Sequence, residues 1–101
     1  MKKHSVRVQI DFKAPQDGGR ATATDLCSGI YRPHLRVAQG DYLGVVLLNG
    51  PLGGVMPGTA ANAEAVLVYQ SSVDYSPLIP GVVFEVLEGA KIVGTGKVLS
   101  E

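Results

Sequence analysis

The sequence has few of the residues that carry covalent or metal chemistry. Its 101 residues include one cysteine, Cys27, and two histidines, His4 and His34, and no tryptophan. A single cysteine excludes an internal disulfide, and with it a disulfide-stabilised secreted scaffold. Zinc sites usually place ligands about two to four residues apart at both ends, whereas here only Asp25 and Cys27 are that close. We therefore expect no metal and no cofactor.

Long apolar runs and nucleotide-binding motifs are also missing. The first residues are basic, as in a signal peptide, but no apolar stretch follows them. No apolar run approaches the roughly 20 residues of a membrane-spanning helix. No GxxxxGK[ST] loop occurs, so nothing would cradle the phosphates of GTP or ATP. These absences predict a cytoplasmic protein that has no membrane partner and does not bind GTP.

Charge is balanced overall but unevenly placed. The formal net charge is zero, without the basic excess of most nucleic-acid-binding domains. Residues 1–36 hold seven Lys or Arg and three Asp, while residues 37–101 hold two Lys and six Asp or Glu. This division is compatible with one basic face, although strands from both halves interleave in a compact β fold. Charge alone leaves a protein partner and an RNA partner both open.

Alternation of apolar and polar residues dominates the chain. Val6, Val8, Ile10 and Phe12 alternate with polar residues, which is typical of a strand with one buried face. Further strands are predicted at 34–39, 43–49, 62–70, 82–88 and 91–99. The 13 glycines and 6 prolines concentrate at 15–20, 49–58 and 76–81. We predict an all-β sandwich or barrel that forms a single domain over residues 1–101.

Several short motifs follow one another in an order found in a known family. They are Gly18-Gly19-Arg20 with Thr22, Tyr31-Arg32-Pro33, Met56-Pro57-Gly58, Glu88-Gly89, and Val93-Gly94-x-Gly96-x-Val98. In this order they resemble the third, C-terminal β-barrel domain of elongation factor Tu, over essentially the whole chain. The resemblance implies a stand-alone, six-stranded, antiparallel, Greek-key-like barrel. It also implies that Gly94 and Gly96 lie where barrel curvature or a close neighbour leaves no room for a side chain.

The sequence departs from that family at positions that matter for function. No GTPase domain occurs in these 101 residues, and His34 stands where the family has glutamine. The polar run that the family is thought to use against transfer RNA is replaced by Val37-Ala38-Gln39. The frame is thus kept while the RNA-facing polar groups are largely lost. The resemblance therefore favours a binding module over inherited transfer-RNA binding.

Most candidate binding residues lie in one stretch, SGIYRPHLRV, at residues 28–37. We predict that Tyr31, Arg32 and Pro33 are mainly architectural, with the Arg32 guanidinium locking a turn. Alternation is expected to direct His34 and Arg36 outward. Cationic groups beside an aromatic ring suit phosphate contact and base stacking. The plainer interpretation is a structural Tyr-Arg-Pro followed by a solvated strand face. The candidate partner-binding residues are Arg20, Arg32, His34, Arg36 and Tyr75.

Tyr75 belongs to a second candidate surface, the proline-fixed loop of residues 70–81. The loop also carries Leu78 and Ile79, and exposed apolar groups of this kind often mark an interaction site. The alternative is that these side chains cap the open end of the barrel.

These features predict a non-catalytic binding module with a protein-interaction or regulatory role. The alternative is an RNA-binding protein that recognises transfer-RNA-like structure in translation. A more distant alternative is a small enzyme that uses Ser28 with His34, or Cys27 with His34. No nucleophile elbow surrounds Ser28, however, and a small filled barrel rarely offers the cleft that catalysis needs.

Overall fold

The fold is built from antiparallel strands joined by turns. The computed structural model describes residues 4–101, in which a short 3-10 turn at Pro15–Asp17 is the one helical element. The strands are β1 (Ser5–Phe12), β2 (Ser28–Tyr31), β3 (His34–Arg36), β4 (Leu43–Gly44), β5 (Val46–Leu48), β6 (Ala60–Val66), β7 (Val83–Glu88) and β8 (Lys91–Ser100). Within this range no helix has the length and hydrophobicity needed to cross a membrane. The all-β prediction is confirmed.

The sheet is centred on its first and last strands. Its order is β2-β5-β6-β1-β8-β7-β3-β4, and all pairings are antiparallel. β1 pairs with β6 on one side and with β8 on the other, where Phe12 lies opposite Gly94. The apolar residues of β1 all face the core, as the alternation predicts.

The strand count and the closure differ from the prediction. The sheet has eight strands in an open order and is not a closed six-stranded barrel. Two strand-like runs are each interrupted: Arg32 and Pro33 separate β2 from β3, and Val45 separates β4 from β5. Pro33 has no N–H group to donate to a strand ladder. Its carbonyl accepts a hydrogen bond from the Val45 N–H (3.1 Å), so the two interruptions lie side by side.

Because of this interruption, the two halves of one bent hairpin pair with different neighbouring strands. β2 and β3 form one arm, and β5 and β4 form the other. The β5 half pairs with β6, whereas the β3 half pairs with β7 and places Arg36 opposite Glu85. The bent hairpin, residues 28–48, therefore contacts strands on both flanks of the sheet.

Two strands also end earlier than predicted. β3 ends at Arg36, because Ala38 has a φ of 54°, in the left-handed region that a strand excludes. β6 ends at Val66, after which the N–H groups of Ser72 and Val73 both donate to the Tyr69 carbonyl in a turn. Tyr69, which falls within the predicted strand 62–70, therefore lies outside the sheet.

The inward faces of the strands share one apolar core. Burial of each of its larger side chains stabilises the fold by about 1.5–3 kcal/mol. Its fully buried large members include Ile10, Leu26, Leu35, Leu47, Leu78 and Phe84.

Gly94 and Gly96 lie where no side chain fits, as predicted. A Cβ atom on Gly96 would lie 2.5 Å from the Gln9 carbonyl oxygen and 2.5 Å from Cε1 of Phe84. At Gly94 a Cβ atom would lie 2.7 Å from the Asp11 carbonyl oxygen. The two glycines thus allow β8 to approach β1 closely, and Gly96 leaves room for the Phe84 ring.

Candidate functional site

The candidate residues from the sequence separate into distinct places. Arg20 joins Tyr31 near the turn between β7 and β8, while His34 and Arg36 lie on the outer face of β3. Arg32 lies between these groups, is exposed, and has no hydrogen bond or ion pair within residues 4–101. Tyr75 is buried elsewhere, in the loop of residues 70–81.

The first group is a cluster of Arg20, Tyr31 and Glu88. The Tyr31 hydroxyl donates to Oε2 of Glu88 (2.6 Å), and Nη1 of Arg20 donates to the same oxygen. The Arg20 guanidinium also lies over the Tyr31 ring, 5.2 Å from its centroid. The Phe12 ring packs against Tyr31 in a tilted arrangement, with 6.2 Å between ring centroids. The guanidinium that stabilises this region therefore belongs to Arg20, and not to Arg32 as the sequence predicts.

The electrostatic environment of Tyr31 and Glu88 agrees with a structural role for this cluster. Burial, together with the neighbouring Glu88 carboxylate, raises the pKa of the Tyr31 hydroxyl well above its ordinary value. Burial also tends to raise the pKa of Glu88, but the hydrogen bonds from Tyr31 and Arg20 outweigh it and hold that pKa below its usual range. Both shifts favour the hydrogen-bonded state in which Tyr31 is the donor and the Glu88 carboxylate is the acceptor.

The Glu88 carboxylate should make the protein less stable in acid. Because its pKa is lowered on folding, it contributes stability above the pKa of the unfolded chain, about 4.3. That contribution is lost as the pH falls through the lower folded pKa. Urea unfolding at pH 7, 5 and 3 should show a smaller loss of stability between pH 5 and 3 for Glu88→Gln than for the unmodified protein. An equal loss in both proteins would contradict this.

The second group consists of His34 and Arg36, and it confirms the predicted orientation of the side chains of β3. Leu35 is fully buried in the core, whereas His34 and Arg36 point to the outer face. Arg36 donates from Nε (2.9 Å) and Nη2 (2.7 Å) to Oε1 of Glu85, its cross-strand neighbour on β7. His34 lies opposite Leu87, which is 1% exposed yet lies outside the core cluster.

Two tyrosines extend this outer face. The Tyr42 ring lies 5.6 Å from the His34 ring, and the Arg36 guanidinium lies 5.6 Å from the centroid of the Tyr42 ring. Tyr69 packs on Gly44, where a Cβ atom would lie 2.7 Å from Cε2 of the Tyr69 ring. Tyr42 and Tyr69 are 41% and 50% exposed.

An exposed valine completes the surface. Val83 is 63% exposed and lies two residues before Glu85 on β7, on the same side of the sheet. We refer to the surface as the Tyr42 face; it consists of His34, Arg36, Tyr42, Tyr69 and Val83. Sequence reasoning missed the last three, although Tyr42 precedes the buried pair Leu43 and Gly44 and so stands where an outward residue is expected.

The electrostatics of these groups differ from those of a phosphate-binding surface. Arg20 is paired with Glu88, and Arg36 is paired with Glu85. Of the three candidate arginines, Arg32 alone has no carboxylate partner within the described chain. The Tyr42 face therefore combines aromatic and apolar surface with a cation that is already neutralised.

Tyr75 closes one end of the sheet and is 5% exposed. Its hydroxyl donates to the Gly44 carbonyl and accepts a hydrogen bond from the Tyr69 N–H (3.1 Å). Leu78 of the same loop is fully buried in the core. The capping interpretation of the loop therefore fits the structure, and the Tyr75 ring is not available to a partner as a surface group.

Ser28 and Cys27, the candidate nucleophiles of the enzyme alternatives, hydrogen-bond to Asp25. The Ser28 hydroxyl donates to Asp25, which also accepts the N–H groups of Cys27 and Ser28 in a local turn. No hydrogen bond joins His34 to Ser28 or Cys27 in the part of the chain that the structure describes. Between residues 4 and 101, no group of three or more His, Cys, Asp or Glu side chains is placed to hold a metal ion.

The profiles of known protein families include no match to this chain. The assignment of the candidate site is therefore based on the positions and contacts of the residues described above.

Proposed function

We propose that the protein is a non-catalytic binding module and that its Tyr42 face docks another protein. The observation that carries the proposal is the combination of two half-exposed tyrosines with the Arg36–Glu85 pair on the outer side of β3 and β7. Tyrosine and arginine are the residues most enriched among the energetic centres of protein interfaces. The exposed Val83 adds apolar area at the border of the same surface.

An RNA partner is the second candidate, and the ion pairs argue against it. Phosphate contacts need cations that are free to replace counterions. Arg36 and Arg20 would each have to leave a carboxylate first, and the carboxylate left behind would repel the phosphate. A protein partner needs no such exchange, because it can pack on the tyrosine rings while the ion pairs remain.

We further propose a regulatory role for the module, which is based on its resemblance to the third domain of elongation factor Tu. The close approach at Gly94 and Gly96, and a hairpin that contacts strands on both flanks of the sheet, support a translation-factor-like architecture. A module of that shape is suited to a regulatory role, in which it occupies a partner that normally binds the translation factor.

The test is capture of partners from lysate by the immobilised protein, with and without RNase. The double variant Tyr42→Ala/Tyr69→Ala should lose at least about tenfold of the captured protein, since two aromatic contacts at an interface centre are removed. RNase treatment should leave capture unchanged.

The matched control is Leu52→Ala, which removes an apolar side chain that is 86% exposed and lies outside the Tyr42 face. It should capture as the unmodified protein does, and thermal melting should show that all variants are folded. Capture that disappears with RNase would favour the RNA alternative. Equal capture by the double variant would overturn the assignment to the Tyr42 face.

A further inference from the structure

One dipeptide of the chain, Asn49-Gly50, combines chemical lability with a fixed backbone geometry. It follows β5 directly and begins the loop of residues 49–58. Asn49 has a φ of 59°, in the left-handed region where asparagine is enriched among residues that carry a side chain. A Cβ atom on Gly50 would lie 2.7 Å from Cβ of Leu26, so the close approach of the two segments requires glycine. The backbone of the fold therefore favours asparagine followed by glycine at these positions.

Asparagine followed by glycine is the dipeptide most prone to deamidation, because glycine has no side chain to hinder attack by its backbone nitrogen. In this reaction the Gly50 nitrogen loses its proton and attacks Cγ of Asn49. A bond forms between these two atoms, the bond from Cγ to Nδ2 breaks, and Nδ2 leaves as ammonia with that proton. Water then opens the succinimide ring at one of its two carbonyl groups, which yields aspartate or isoaspartate. The reaction therefore needs no reagent other than water.

In the folded chain both reacting groups are engaged in hydrogen bonds. The Gly50 N–H donates to the Leu26 carbonyl (2.8 Å), and the Asn49 N–H donates to the Cys27 carbonyl (3.1 Å). The side-chain amide of Asn49 donates from Nδ2 to Oε1 of Glu64 on β6 (2.7 Å). Attack requires the Gly50 N–H to leave its acceptor and the Asn49 amide to turn away from Glu64. Deamidation therefore depends on a local opening of the chain at the end of β5.

The product of deamidation has the wrong charge for its surroundings. The Glu64 carboxylate accepts hydrogen bonds from the Ser5 hydroxyl (2.6 Å) and from Asn49, and these lower the pKa of Glu64, with a smaller contribution from Arg7 opposite it on β1. An aspartate at position 49 replaces a donor by a second carboxylate. Isoaspartate also adds a methylene group to the main chain, which displaces the hydrogen bonds to residues 26 and 27. The opened chain therefore cannot regain its original contacts.

We propose that Asn49-Gly50 is a latent deamidation site, which the folded chain protects through its hydrogen bonds to Leu26 and Glu64. Each local opening exposes the pair to the reaction. Conversion to aspartate or isoaspartate then irreversibly weakens the contact between the end of β5 and β6. The proposal is independent of the protein-docking role of the Tyr42 face.

The first experiment compares deamidation in the folded and unfolded states. The protein is incubated at mildly alkaline pH, in buffer and in guanidinium chloride, and peptide mapping by mass spectrometry follows Asn49 and Asn62, the two asparagines of the chain. Asn49 should deamidate at least about tenfold more slowly in the folded protein. Asn62 lies within β6 and precedes alanine, so it is the internal control and should be the slower of the two sites in guanidinium chloride.

Charge variants test the consequence of the reaction. Asn49→Asp reproduces the aspartate product and should raise the equilibrium constant for unfolding at pH 7 by roughly three- to tenfold, because a hydrogen bond to a charged acceptor is replaced by repulsion at an exposed site. Glu64→Gln removes the other charge and is the matched background. In that background Asn49→Asp should change the equilibrium constant by at most about twofold, since the two positions act on each other.

Several outcomes would overturn the proposal. Equal rates at Asn49 in the two states would show that the hydrogen bonds do not protect it, and faster modification of Asn62 would place the labile site elsewhere. An unchanged stability of Asn49→Asp, or the same loss in the Glu64→Gln background, would refute the consequence for the fold. If Asn49→Asp alone did not fold, recovery of folding in the double variant would support the repulsion, and failure of both to fold would contradict it.

Discussion

Gly96→Ala should lower the free energy of unfolding by about 3 kcal/mol, the upper part of the usual range for overpacking a core. The added methyl group would lie 2.5 Å from both the Gln9 carbonyl oxygen and the Phe84 ring. The Phe84 ring could tilt only at the expense of the packed core around it. The Gln9 carbonyl belongs to β1, at the centre of the sheet, and cannot move without disturbing the β1–β8 pairing. Urea unfolding gives the measurement.

The matched control for Gly96→Ala is Thr95→Ala, the adjacent and exposed position of β8. It should change the free energy of unfolding by no more than about 0.5 kcal/mol. Similar stabilities for the two variants would show that β8 can move away from β1, and that the close approach is not a requirement of the fold.

Tyr31→Ala should cost about 3 kcal/mol. The substitution removes the ring that packs against Phe12 and beneath the Arg20 guanidinium, and a buried aromatic ring is worth about 3–5 kcal/mol. Tyr31 is only partly buried, which places the expected loss at the low end. The hydrogen bond to Glu88 is lost at the same time. Thermal or urea unfolding at pH 7 measures the effect.

Two variants separate the parts of this effect. Tyr31→Phe keeps the ring and removes only the hydroxyl, and should cost about 1–2 kcal/mol, because the acceptor is charged. Arg32→Ala should be within about 0.5 kcal/mol of the unmodified protein, since Arg32 is exposed and unpaired in the described structure. A large loss in Arg32→Ala with little change in Tyr31→Ala would contradict the cluster as the structure shows it.

The strands that could be predicted are those in which local alternation agrees with long-range pairing. β1, β7 and β8 lie within two residues of their predicted bounds. β1 alternates apolar and polar residues, and β7 and β8 are rich in β-branched and aromatic residues next to glycine-containing turns. The break at Pro33 and Val45 could not be predicted, because it depends on two distant interruptions that meet across a hairpin. A continuous apolar run such as that of residues 43–48 gives no sign of where its pairing partner changes.

The outward orientation of the candidate side chains could be predicted from the sequence, but the residues that they contact could not. Alternation alone placed His34 and Arg36 outward, since it needs only the residues of one strand. The pairing of Arg20 with Glu88 joins residues 68 positions apart, and no local pattern reports a contact of that kind. The predicted strand 62–70 extends too far, because β6 ends at Val66 and the chain then forms a turn around the Tyr69 carbonyl.

The central position of β1 has a consequence for biosynthesis. β1 precedes the other described strands in the chain but lies between β6 and β8, so its second partner, β8, is the last of these strands to leave the ribosome. Such non-local pairing slows folding and leaves apolar surface exposed in the meantime. During that interval the apolar side of β1 is open to contact with other nascent chains. Arg7 and Asp11 alternate with the apolar residues, and charges in an unpaired strand oppose pairing with foreign strands. The polar face of β1 thus protects the chain before the sheet exists.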